Sequence, residues 1–180
     1  SGDEIKDRCY VAVVGYGTGV NIMFLEKISE LAKNTNTVTL KKKVPDGAGG
    51  LVQIDELMRV LVNPVASGGA PMAEAFQQVY KGAEKFIANN PNSFPPIVIN
   101  ITDGEPNNFN TAISEAKKLM QLSTSDGKLI LMNAHISAAT GGKVELPSNN
   151  SGFQGNKFAE FLFDISSALP DTLANKAKDV

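Results

Sequence analysis

Val98-Ile99-Asn100-Ile101-Thr102-Asp103-Gly104-Glu105-Pro106 decides how this chain is read. From Pro96 to Thr102 the run is almost continuously apolar and β-branched, which suits a strand buried on both faces, as in a parallel sheet. The Thr-Asp-Gly turn then places a carboxylate at the strand's carboxyl end. Two further runs of the same kind are Tyr10 to Tyr16 and Lys128 to Ile136. Thr37 to Lys43 differs, because its lysines mark a sheet edge guarded against pairing. Helical stripes lie between the strands. Pro71 opens one that carries Met72, Ala75, Phe76, Val79, Tyr80, Ala83, Phe86 and Ile87 and stops at Asn89-Asn90-Pro91. A second carries Phe109, Ala112, Ile113, Ala116, Leu119 and Met120, with Asn108 or Asn110 as its cap. A third carries Phe158, Phe161, Leu162 and Ile165 after Asn156, and a short final helix is expected from Asp171 to Val180. Strands alternating with helices imply an α/β fold, a doubly wound and mostly parallel sheet between two helical layers.

The composition agrees. The chain of 180 residues is 42% hydrophobic and 20% charged, enough apolar content for one domain spanning 1–180. Seventeen basic against nineteen acidic side chains leave a net charge of −2, without the basic surplus that nucleic-acid binding needs. The sequence has neither an apolar run long enough for a membrane span nor a signal-peptide pattern. Its single cysteine, Cys9, can form no internal disulfide, and a cytoplasmic setting is expected.

Sites in open α/β sheets gather in the loops beyond the carboxyl ends of the strands. Three loops fall there: Gly15-Tyr16-Gly17-Thr18-Gly19, Ser67-Gly68-Gly69-Ala70-Pro71-Met72-Ala73-Glu74-Ala75 and Thr102-Asp103-Gly104-Glu105-Pro106-Asn107. The first invites a dinucleotide-binding reading, a Rossmann-like enzyme using the Gly15-Gly17-Gly19 turn. Its third glycine comes one position early, however, and no carboxylate stands near Asn34 to Thr39. The simpler reading is a tight strand-to-helix turn. Val44 to Gly50 and Gly141 to Gly155 read as surface loops.

Gly68-Gly69-Ala70-Pro71-Met72-Ala73-Glu74-Ala75 resembles the Gly-Gly-Thr-Pro-Met loop and helix of von Willebrand factor A domains. Val98 to Pro106 is similar to their fourth strand and its Asp-Gly turn, and Val11 to Gly17 to their second strand. The likeness is nearest to bacterial intracellular members, including those of tellurium-resistance-type and kinase/phosphatase signalling systems. Glu4-Ile5-Lys6-Asp7-Arg8 and Leu131 to Ser137 add to it. The resemblance implies a three-layer α/β/α sandwich, a role in signalling or stress response, and docking of a protein partner at the carboxyl edge of the sheet. The residues it implicates are Gly15, Tyr16, Gly17, Ser67, Gly68, Gly69, Ala70, Asp103, Gly104 and Glu105.

This sequence departs from the family pattern in two ways. Members bind a divalent cation through an Asp-x-Ser-x-Ser run, a threonine in the second loop and an aspartate in the third. The run is missing here, and Ala70 stands at the threonine position. Only Asp103 matches a metal position, so the chain as given is expected to hold no cofactor. Mg²⁺ remains the expected ion if the missing run exists in a longer protein. The family's first strand, which lies between its second and fourth, is missing too. Each buried backbone group left unpaired costs about 1–3 kcal/mol, so the slot is expected to be filled by a preceding segment or another chain.

Other residues have plainer readings. His135, the only histidine, lacks a partnered nucleophile and reads as structural. Cys9 reads as a small hydrophobe at the start of a strand. Lys41 to Lys43 reads as a solvated edge. Phe158, Phe161, Leu162 and Phe163 read as core, with one aromatic ring left over for a partner surface.

Overall fold

The computed structural model describes residues 5–62, 68–137, 144–153 and 155–177. In chain order the elements are β1 (Tyr10–Tyr16), β2 (Val20–Lys27), α1 (Ile28–Leu31), β3 (Thr37–Pro45), β4 (Leu51–Arg59), α2 (Met72–Asn89), β5 (Ile97–Thr102), α3 (Phe109–Leu119), β6 (Ser123–Thr124), β7 (Gly127–Lys128), β8 (Ile130–His135), α4 (Lys157–Asp164) and α5 (Asp171–Ala177). The chain thus mixes helices and strands. The strands pair two by two, as β1-β2, β3-β4, β5-β8 and β6-β7. Two compact units result. The first holds residues 5–15 and 21–62, and the second holds 16–20 and 68–177.

The first unit is built from β-ribbons. β1 and β2 are joined by three residues, a connection that only an antiparallel pair can use. The turn between them therefore leads into a strand, not into the helix expected after Gly19. β1 was also expected to be buried on both faces, yet Tyr10 is exposed and the rest of the strand is at most half-buried. Among the described residues β1 pairs only with β2, so the β-branched run is not itself proof of a central position. The lysine-bearing strand continues to Pro45 and pairs along its whole length with β4, from Thr37 opposite Arg59 to Pro45 opposite Leu51. Lys42 reaches diagonally to Glu56 at 3.2 Å. Asp46 ties the turn, its Oδ1 accepting from the Ala48 and Gly50 amides at 2.8 Å each.

The second unit holds the core. β5 and β8 run parallel in register, Ile97 beside Ile130 through Thr102 beside His135. Parallel neighbours share a face, so Val98, Asn100 and Thr102 line one side with Leu131, Asn133 and His135. On this side Met72 and Phe76 of α2, Ala112, Ala116 and Leu119 of α3, and Phe158, Phe161 and Leu162 of α4 close into one cluster with Leu131. The stripes read in the sequence are the buried faces of these helices. Pro71 is the cap residue itself, and the helix begins at Met72. Asn108, not Asn110, caps α3 by accepting from the Thr111 amide, and Asn156 caps α4 by accepting from two amides. The fourth member of the aromatic group, Phe163, is half-buried against Phe153.

β5 was expected to be buried on both faces. Ile97, Ile99 and Ile101 are instead 51%, 61% and 60% exposed. The described helices cover only the Asn100 side, and β8 is the only strand beside β5 among the described residues. No helix of the described residues is long and apolar enough to cross a membrane.

Candidate functional site

Within the second unit, the described parts of the three loops singled out in the sequence come together. The first contact is between Gly68 and the β1–β2 turn. Gly68 sits at φ +76°, and a Cβ there would stand 2.7 Å from the backbone N and Cα of Thr18. Only glycine tolerates both the left-handed backbone and this approach. A second contact stitches the Gly-Gly-Ala loop to the segment after β5. The Asn107 side chain accepts from the Ala70 amide at 3.0 Å, and the Asn107 amide donates to the Ala70 carbonyl at 3.0 Å. A Cβ on Gly69 would fall 2.7 Å from the same Asn107 oxygen. The second and third loops are therefore one surface, fastened through Asn107, the last residue of the third loop, to which sequence reasoning assigned no role.

Asp103 stands at the end of this surface. Thr102 is buried and closes the turn beneath it, donating from its hydroxyl to the Gly104 carbonyl at 2.9 Å. Asp103 and Glu105 are left exposed, and neither enters an ion pair among the described residues. Ala70 is half-buried and offers only backbone groups. Ser67, the remaining residue of the second loop, lies outside the described residues. So do Glu4 and part of the Gly141 to Gly155 loop.

Behind the edge runs a polar chain through the core. The Tyr16 hydroxyl donates to Asn100 Oδ1 at 2.8 Å, and Asn100 Nδ2 donates to Asn133 Oδ1 at 2.8 Å. Asn133 Nδ2 then donates to Ser166 Oγ at 2.9 Å and to the Leu162 carbonyl at 3.1 Å, reaching the end of α4. Buried polar groups are tolerated when every member is paired, and no buried side-chain nitrogen or oxygen of the described residues is without a partner. Burial pushes the Tyr16 phenol above its ordinary pKa, and the Asp103 charge pushes the same way against the Thr102 hydroxyl. Tyr16 thus joins the first loop to the strand that presents Asp103. Neither asparagine could be singled out from the sequence, since each is one polar residue inside an apolar run.

The chemistry within reach is limited. His135 lies beside Thr102 in the register, and its ring meets Phe158 edge-on at 4.9 Å. Cys9 is exposed just ahead of β1. The Gly15-Gly17-Gly19 turn is followed by β2, so a pyrophosphate would meet no helix N-terminus there. Among the described residues no three histidine, cysteine or acidic side chains group as metal ligands. No family model matches the chain, and neither the curated proteins nor the solved structures yield a match.

Proposed function

We propose that this chain is a non-enzymatic protein-interaction module of von Willebrand A type, which docks a protein partner at the carboxyl edge of the β5-β8 sheet. In this reading the α2–α4 layer and the parallel pair are parts of a three-layer sandwich. The edge is a metal-ion-dependent adhesion site that has lost most of its ligands. The observation that carries the proposal is the close approach of Gly68 to Thr18 and the two hydrogen bonds between Ala70 and Asn107, which bring the loops into one surface beside an exposed Asp103 that enters no ion pair among the described residues. A surface already ordered before binding loses little conformational freedom when a partner docks.

Magnesium prefers oxygen ligands and retains several waters, and Asp103 with the Ala70 backbone offers it too few. Calorimetric titration with Mg²⁺ should therefore give no specific heat, and a micromolar site would refute this part of the reading. A photo-crosslinking amino acid at Glu105 should capture a protein in cells, and the same probe at exposed Lys85 of α2 should not. Capture that is equal at both positions would contradict docking at this edge. A thermal shift with ATP or NAD would favour the nucleotide-enzyme reading instead.

A further inference from the structure

β5 has a second edge. The Ile130 amide donates to the Pro96 carbonyl at 3.0 Å, and the Ile136 amide to the Thr102 carbonyl at 2.9 Å. The even-numbered backbone groups of β5 therefore face β8. Backbone groups alternate sides along a strand, so those of Ile97, Ile99 and Ile101 face away, where the described residues supply no strand. Natural sheets guard such an edge with lysine, proline or charge. β3 has that guard in Lys41, Lys42 and Lys43. β5 has none from Ile97 to Thr102, and its three outward isoleucines are more than half exposed. An unguarded edge of this kind adds a strand, with main-chain bonds supplying affinity.

We propose that a second copy of this chain fills this edge, its own β5 pairing antiparallel about a two-fold axis at Ile99. Symmetry and charge select this occupant. The axis sets Ile99 opposite Ile99 and Ile97 opposite Ile101, and each such pair exchanges both of its main-chain hydrogen bonds. Beyond the strand ends it sets Asp103 opposite Pro95 and Glu105 opposite Ser93, so no like charges meet. An isologous interface must be self-complementary, and this uncharged strand satisfies that requirement. The isoleucines of both copies then form one row on a single face. The main-chain pairing runs along the side of β5 and is measured without a docked protein partner, although its ends bring Pro95 and Ser93 of the second copy beside Asp103 and Glu105.

Edge-to-edge contacts are small and belong with weak, reversible interfaces. Sedimentation equilibrium of the 180-residue chain from about 1 to 500 µM should therefore show the mean mass rising toward that of a dimer. Hydrogen exchange at the Ile97, Ile99 and Ile101 amides should slow over the same range. Ile99→Lys changes an exposed side chain and places two ammonium groups across the axis. It should keep its circular-dichroism melt and weaken association at least tenfold. Ile54→Lys, on the exposed β4, should leave association unchanged. A monomer throughout the range would overturn the proposal. So would a dimer indifferent to Ile99→Lys, or one that Ile54→Lys dissolves. Equal protection of the three amides at every concentration would also overturn it, because the edge would then be filled within one chain.

Discussion

At the scale of the residue, Gly68 and Tyr16 show how the site is held. Gly68 has a left-handed backbone and Thr18 directly against its α-carbon. Gly68→Ala should cost about 1–3 kcal/mol, the range for a non-glycine residue held in such a conformation, and chemical denaturation would read the loss. Gly19, whose surroundings are open, makes the control: Gly19→Ala should shift stability by less than about 0.5 kcal/mol. Tyr16 makes a different prediction, in pH. Its folded pKa is raised, so the neutral phenol is favoured by folding. That contribution is full below the unfolded tyrosine value of about 10 and is lost as pH rises through the folded value. Tyr16→Phe should therefore flatten the fall in stability above about pH 10. An unchanged alkaline limb would mean that the phenol is not held as described.

At the scale of the element, α2 to α5 were legible, whereas α1 and half of the strands were not. α2, α3 and α4 announce themselves by apolar residues at helical spacing, and each buries that stripe. Asn156 was legible as a cap because asparagine before an apolar stripe accepts well from the first-turn amides. Asn156→Ala should destabilise the second unit by about 1 kcal/mol, whereas Asn156→Asp should recover most of it. Equal melting of wild type and Asn156→Ala would remove the cap's role. β2 and β4 were missed for an identifiable reason. Leu51-Val52-Gln53-Ile54-Asp55-Glu56-Leu57-Met58-Arg59 contains many good helix formers and no clean alternation. It is a strand because β3 pairs with it across nine positions, a long-range term that local propensity does not carry. The exposed isoleucine face of β5 was equally hidden, since a β-branched run does not say how many faces neighbours will cover.

At the scale of the molecule, the Asp103 loop could be chosen in advance because it follows the carboxyl end of β5 in the parallel β5-β8 pair, whereas the other two loops follow β1 and β4, which pair elsewhere. The fastening of the loops could not be foreseen. Asn107 is an exposed loop residue, and its two bonds to Ala70 depend on the path of the chain after β5. In the proposed reading, the Asp-x-Ser-x-Ser run missing from this sequence and Ala70 at the threonine position leave a cation few oxygen ligands. On that reading, a partner would grip the loop surface and the Asp103 carboxylate. The most direct test takes the protein captured at Glu105 and titrates it by calorimetry, in EDTA, against wild type and Asp103→Ala. The account predicts binding without a cation, weakened about tenfold or more in Asp103→Ala, which is about 1.4 kcal/mol or more, with an unchanged Tm. Equal affinity for the two proteins, or a loss of binding matched by a loss of Tm, would contradict it.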